Sequence, residues 1–502
     1  MVVDSAIDMA PAWARTALWG QRVADDLGQL GAPGHESDAS STASHAKELL
    51  DASAGRLGKI AVIGVHGWFP MRMLQMLAGE PTGKSEKFCL MMREALKAYL
   101  LESHGVTVTD DDITLFPLIG EGRIEDRVEL LLSQITDSEA PEALEAPGAG
   151  PKAETRSEPE AAQLGKDSAT GPSGKQSQVL AEALMPARGR RAQALQSADT
   201  VFVVTHSQGT PVSAMMVERL FEMGLLDTAR QRVAMLAMAG ISHGPLPHLK
   251  DNVVIKYIES ETARELFELM DPSSHQSQRY VAALSTVLHK GVRLVCIGSW
   301  VDEVVPLYSA ILQGVSHPNV YRAVYIDAPH YLDDFLTNLI IFALRLRNMG
   351  VYDHDLLIHL SEVVAGSLWG HWGHSTVYGE PAVYKLALKW LLYSTSAASQ
   401  ASASASVPTG VIRLPGSQPG ARASVSGPQT HMSYRPFNAT HPLNPFYIPW
   451  IMRTLWDEPA VRNNAELRAE LERLVGLFDK WEPKTKVGRD LKYRLEPVRA
   501  AL

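Results

Sequence analysis

Two cysteines in 502 residues are too few for a disulfide framework. Cys89 and Cys296 fall in an amphipathic stretch and an apolar run, and both read as core thiols of a reducing compartment. Long apolar runs are missing as well. The densest patch near a helix, Leu339 to Leu344, is far shorter than a bilayer requires. At the N-terminus, Asp4 and Asp8 stand where a secretory peptide needs unbroken apolar sequence. Basic excess is absent too: the net charge of −9 argues against a general affinity for nucleic acid or anionic membrane. These absences point to a soluble protein of the cytoplasm with no transmembrane segment. Peripheral membrane contact and the oligomeric state stay open.

What is present divides unevenly along the chain. Residues 1–58 are rich in Ala, Ser and Asp and read as a peripheral, partly disordered segment in which Trp13 to Leu30 could form one helix. The composition collapses into Ala, Pro, Glu, Gly and Ser over 137–176 and again into low complexity over 394–430, so a disordered insertion and a linker are expected there. One large α/β domain over 59–393 and a helical extension over 431–502, packed back on it, account for the rest.

Near-continuous apolar runs recur in that domain: KIAVIGV from Lys59, ITLFPLI from Ile113, VFVV from Val201, RVAMLAMA from Arg232, VRLVCIG from Val292 and YRAVYI from Tyr321. Such runs suit strands buried on both faces of a parallel sheet. Helical periodicity appears between them, as in Glu86 to His104, Glu121 to Thr136 and Val212 to Met223. Asn252 to Lys290 reads as mostly helical, with Glu265 to Asp271 suited to a cap over a pocket. Amphipathic helices are expected at Asp333 to Leu346, Ala382 to Tyr393 and Asn464 to Trp481, and the Lys/Arg-rich end reads as a solvated surface.

The informative stretch is Val201-Phe202-Val203-Val204-Thr205-His206-Ser207-Gln208-Gly209-Thr210-Pro211. A buried strand that breaks directly into a helix lifts Ser207 on a strained turn, where a base can reach its hydroxyl. Gly209, two residues after the serine, keeps the helix close to that strand, where a side chain would collide. Thr205 stands where the usual G-x-S-x-G has glycine. A plain helix start on an ordinary crossover is the competing reading. Two other patterns carry less: Ala78 to Ser85 (AGEPTGKS) matches a permissive phosphate-loop pattern but follows the helical MRMLQML rather than a strand. His243 with His248, and His371 with His374, lack further ligands at metal spacing, so no metal or organic cofactor is expected.

From Lys59 to Tyr393 the sequence resembles the α/β-hydrolase superfamily, and within it a lipase-like group of fungal proteins. The resemblance implies an α/β-hydrolase fold: a mostly parallel central sheet flanked by helices, with a helical cap and disordered insertions. It also implies that His66-Gly67-Trp68-Phe69, at the end of the first strand, opens the oxyanion loop. The donors would be the N–H of Trp68 or a neighbour and that of Gln208, with His66 orienting the loop. Asp302, in Ser299-Trp300-Val301-Asp302-Glu303-Val304-Val305-Pro306, takes the place of the acid that orients the catalytic histidine, ahead of Glu303. A helix-capping role is the alternative. Two histidines qualify as the base. His330 follows the last strand, whereas His374 sits in a Gly-His-Ser followed by Tyr, as in the resembling sequences, on a glycine-flanked loop. His374 is preferred, with His330 as the alternative and His371 third. The implied activity is hydrolysis of a carboxylic ester with an apolar or lipid-like acyl group, with Ser207, His374 and Asp302 as the triad. A non-catalytic scaffold acting through interactions is the rival.

Overall fold

In the computed structural model of the chain, residues 57–67, 84–136, 190–251, 261–326, 331–365, 373–393, 431–440 and 447–499 are described. The segment 1–56, the insertion at 137–176 and the linker at 394–430 lie outside the described residues. So do Trp68, Phe69, His330, His371 and Trp372.

The apolar runs become β1 (Ile60–Val65), β2 (Ile113–Leu118), β3 (Thr200–His206), β4 (Arg232–Met238) and β5 (Arg293–Ser299) and, after the short β6 (Val315–Ser316), β7 (Val320–Tyr325). Every pairing in the main sheet is parallel, in the order β2-β1-β3-β4-β5-β7. The chain leaves β1 toward one edge and returns at β3 to fill the other side. The switch point therefore lies between β1 and β3, where the carboxyl ends of strands in such sheets leave a crevice.

Helices α1 (Ser85–His104), α2 (Ile124–Thr136), α3 (Gly209–Glu222), α4 (His275–His289), α5 (Phe335–Asn348) and α6 (Pro381–Tyr393) cover this sheet. Alternation along each strand assigns the faces. Ile60, Val62, Phe202 and Val204 pack with Phe88, Met92 and Leu96 of α1 and with Val383 and Ala387 of α6. Their neighbours Ala61, Ile63, Val201 and Val203 pack with α2, α3 and α4.

Of the stretch 252–290, read as mostly helical with a cap at Glu265 to Asp271, residues from Glu261 onward are described. Glu261–Glu268 meets the N-terminus of α2, where Glu265 accepts the Ile124 N–H at 2.7 Å. Helix α4 buries Tyr280, Ala283, Leu284, Val287 and Leu288 in the core shared with α3. That spacing is one helical stripe, and it makes α4 a flank of the sheet.

A third apolar cluster grows on α5. Helices α7 (Ile448–Asp457), α8 (Ala465–Lys480) and α9 (Lys486–Arg499) bring Leu455, Leu471, Leu474 and Leu495 against Leu339, Phe342 and Leu346. The basic C-terminal stretch, read as solvated surface, is thus a helix with Leu491 and Leu495 on a buried face. Before it, β8 (Ser433–Tyr434) pairs antiparallel with β6, and the Ala439 N–H donates to the Met270 carbonyl at 2.9 Å. No described helix is long and apolar enough to cross a membrane.

Candidate active site

β3 ends at His206 and α3 begins at Gly209, so only Ser207 and Gln208 make the reversal. Ser207 takes φ = 54°, the left-handed region that a residue with a side chain occupies only under constraint. Three hydrogen bonds hold it there. Its N–H donates to Met238 O (3.1 Å), and its carbonyl accepts from the N–H groups of Thr210 (3.0 Å) and Ile241 (3.2 Å). Gly209 is required by close approach: a Cβ there would sit 2.6 Å from the Val65 carbonyl oxygen, at the end of β1 rather than of β3. Thr205, in place of the usual glycine, is buried with its hydroxyl 2.8 Å from that of Thr210.

The loop after β1 lies against this turn. A Cβ on Gly67 would be 2.8 Å from Ser207 Cβ, so glycine lets the two segments touch. His66 is fastened on both sides. Its Nδ1 is 2.5 Å from the Gly67 carbonyl, and its N–H donates to Ser85 Oγ (3.0 Å), which donates on to Leu118 O (2.6 Å). Ser85, the last residue of the phosphate-loop-like stretch, is therefore used to tie β1, α1 and β2 together. Burial, with Arg127 adding to it, pushes the His66 imidazole down to about 3, so it is neutral.

Asp302 follows β5 with one carboxylate oxygen capping the chain, accepting from the N–H groups of Val304 and Val305, both at 2.8 Å. The other oxygen is 2.9 Å from His374 Nδ1. A carboxylate at Nδ1 keeps the hydrogen on that nitrogen and leaves Nε2 as the basic one. The main chain of His374 is held as well: its N–H donates to Glu303 Oε2 (3.2 Å), and its carbonyl is 2.9 Å from His206 Nε2. The residue before the serine and the residue after the aspartate thus grip one histidine. Gly373 permits this, since a Cβ there would lie 2.3 Å from the Val301 carbonyl oxygen.

Ser207 and the Asp302–His374 pair meet through His206, whose ring centroid is 4.5 Å from that of His374. Ser207 is 5 % exposed, Asp302 2 % and the His374 side chain 12 %, so the group is nearly closed to water. Among the described residues no hydrogen bond runs from the Ser207 hydroxyl to an imidazole.

Charge reinforces the arrangement. Burial alone would lower the His374 imidazole, but the charge and hydrogen bond of Asp302, with Glu303 behind them, raise it above its ordinary value. Glu303 is pushed up to about 7 by burial and by repulsion from Asp302. Burial and the nearby His374 keep His206 well below the ordinary histidine value.

One residue that the sequence reading passed over belongs here. Arg127 of α2 is fully buried and donates from one nitrogen to Gln208 Oε1 (2.6 Å) and from another to the His66 carbonyl (2.9 Å). Its signal was visible: Ile124, Arg127, Val128 and Leu131 share one face of the helix, and an arginine on an apolar stripe needs a reason. Asp302, His374, His66, Gly67, Gln208 and Ser207 are gathered at the switch point. Trp68 and His330 lie outside the described residues. Among the described residues no group of three His, Cys, Asp or Glu could hold a metal. His243 is buried under Phe437 and accepts the Gly314 N–H at 3.1 Å.

The family model of the YMC0/YMC35 alpha/beta hydrolase domain matches residues 36–139 and 181–410, more than half of the chain. The matched stretches include Ser207, Asp302, His374 and Arg127. No curated protein and no solved structure matches.

Proposed function

Because the chain belongs to the YMC0/YMC35 alpha/beta hydrolase family, we propose that it is a serine hydrolase that cleaves a carboxylic ester through Ser207, His374 and Asp302. The observation that carries this reading is the strained serine at φ = 54° beside a histidine whose Nδ1 is 2.9 Å from a buried carboxylate. Ser207 Oγ attacks the ester carbonyl while His374 Nε2 takes its proton. Asp302 keeps the ring in the tautomer that can do so and stabilises the imidazolium. The oxyanion is received by backbone N–H groups at Gln208 and in the loop after β1, an effect worth about 3 kcal/mol per donor. Collapse of the tetrahedral intermediate breaks the bond to the alcohol, which leaves with the proton from His374. Water then repeats the sequence on the acyl-serine and returns the proton to Ser207.

An apolar acyl group is the favoured substrate class, because the sequence that follows Gly67, the residue packed on Ser207, continues with Trp68 and Phe69. The test is labelling with a fluorophosphonate probe together with hydrolysis of p-nitrophenyl esters of graded chain length. The wild-type protein should be labelled and Ser207→Ala should not, with ester turnover falling by about 10⁴-fold or more. A well-folded wild-type protein that is neither labelled nor active would favour an interaction scaffold built on this fold.

A further inference from the structure

We propose that Arg127 is the positioning residue of the oxyanion hole: sealed beneath the nucleophile turn, its guanidinium locks Gln208 to the loop after β1 and polarises the His66–Gly67 peptide toward the serine. This rests on the serine-hydrolase reading and says how its electrostatics are built.

The geometry is specific to that task. Arg127 spends its hydrogen bonds on the two segments that carry the oxyanion donors: the side chain of Gln208 at 2.6 Å and the main-chain carbonyl of His66 at 2.9 Å. Gln208 is oriented to receive it, because its amide nitrogen donates to the Gly122 carbonyl at 3.2 Å and leaves the oxygen facing the guanidinium. A planar fork can bridge two acceptors at fixed separation, which a lysine ammonium does less well. The bonded carbonyl of His66 belongs to the peptide whose N–H is that of Gly67, the residue packed on Ser207. Donation to a carbonyl strengthens the N–H of the same peptide as a donor, since chained hydrogen bonds polarise one another. The Ser207–Gln208 peptide is treated alike, its carbonyl accepting from Thr210 and Ile241.

Burial makes the residue expensive to keep for packing alone. Arg127 has no exposed surface and lies on an apolar stripe where leucine or methionine would fit the helix. Burial lowers it only to about 10, with Glu121 opposing the fall, so the guanidinium stays charged at neutral pH. A fixed positive charge in a water-excluded site then lies behind the point where negative charge develops in the transition state.

The experiment compares wild-type protein, Arg127→Met and Arg127→Lys for p-nitrophenyl ester kinetics, for inhibition by a trifluoromethyl ketone transition-state analogue, and for folding by circular dichroism. For Arg127→Met we expect kcat to fall on the order of 10²-fold with KM within about threefold, and analogue affinity to fall in step with kcat/KM. Arg127→Lys should lose about tenfold, because it keeps the charge without the fork. Should Arg127→Met fail to fold, Arg127→Lys alone decides: a folded lysine variant with wild-type kcat and analogue affinity overturns the proposal. So does a folded methionine variant that keeps kcat, or one that loses only KM. Wild-type protein that fluorophosphonate does not label overturns the serine-hydrolase reading and this inference with it, whereas labelled wild type with indifferent Arg127 variants overturns this inference alone.

Discussion

The carboxyl end of the sheet and the helical layer on α5 are assembled from opposite materials. Around Ser207 the buried groups are His66, His206, Gln208, Asp302, Glu303 and Arg127, most of them tied to a named partner at hydrogen-bond distance. Around α5 they are Leu339, Phe342, Leu346, Leu471, Leu474 and Phe478, with ring pairs such as Phe335–Phe478 at 5.1 Å. Charge is buried there too, in Arg345 of α5, which pairs with Glu466 and Glu470, but apolar side chains make up most of the layer. Non-directional burial tolerates small errors of position; a chain of directed bonds does not. The first region should therefore answer mutation in rate, and the second in stability.

The sharpest way to break that contrast is Asp302→Asn. An amide can still accept from Val304 and Val305, but then it turns its NH₂ toward His374 Nδ1, moves the ring hydrogen to Nε2 and removes the base. We expect kcat to fall by about 10³- to 10⁴-fold in a protein that still folds. A loss below about tenfold would detach the carboxylate from the chemistry.

Leu471→Ala probes the other region. The side chain is 1 % exposed in the α5 cluster, and its truncation should cost about 2–5 kcal/mol of unfolding free energy by urea titration. The folded protein should hydrolyse ester at a rate within about twofold of wild type, because distant sites that share no partners act independently. A rate collapse at full folding would show that the two regions are not independent.

Glu303→Gln should give the smallest effect and the most specific one. Ionised Glu303 favours the protonated form of His374, so removing the charge should move the acid limb of the kcat/KM profile to lower pH. The stability effect has the opposite form from that of an ordinary salt-bridged carboxylate. Glu303 holds its proton to about 7 in the fold against 4.5 when unfolded. What it contributes is whole below 4.5 and is lost as pH rises through about 7, because the folded state binds more protons in that window. The glutamine variant should lack this decline in denaturant titrations from pH 4 to 8.

Legibility in the sequence follows the same divide. KIAVIGV and RVAMLAMA read as strands because burial on both faces demands unbroken apolar residues, and β1 and β4 occupy those stretches. The turn at Ser207 was readable because a strand ran straight into a helix with no residues for a wider loop. Bonds across long separations have no such periodicity. Arg127 meets Gln208 over 81 residues and His206 meets the His374 carbonyl over 168, and neither pairing leaves a pattern along the chain. Strand position alone pointed to His330, and His374 came forward through family resemblance. The stripe of α4 is legible as a helix, but the layer it packs on shows only in the core around Tyr280 and Leu284. The two-residue strands β6 and β8 were too short to show in any pattern.

The most direct measurement is the rate at which a fluorophosphonate probe modifies Ser207, mapped by peptide mass spectrometry in the wild type, His374→Ala and His330→Ala. Modification of Ser207 that is lost in His374→Ala and retained in His330→Ala is the result this account predicts. Modification at another residue, or retention in His374→Ala with loss in His330→Ala, would contradict it.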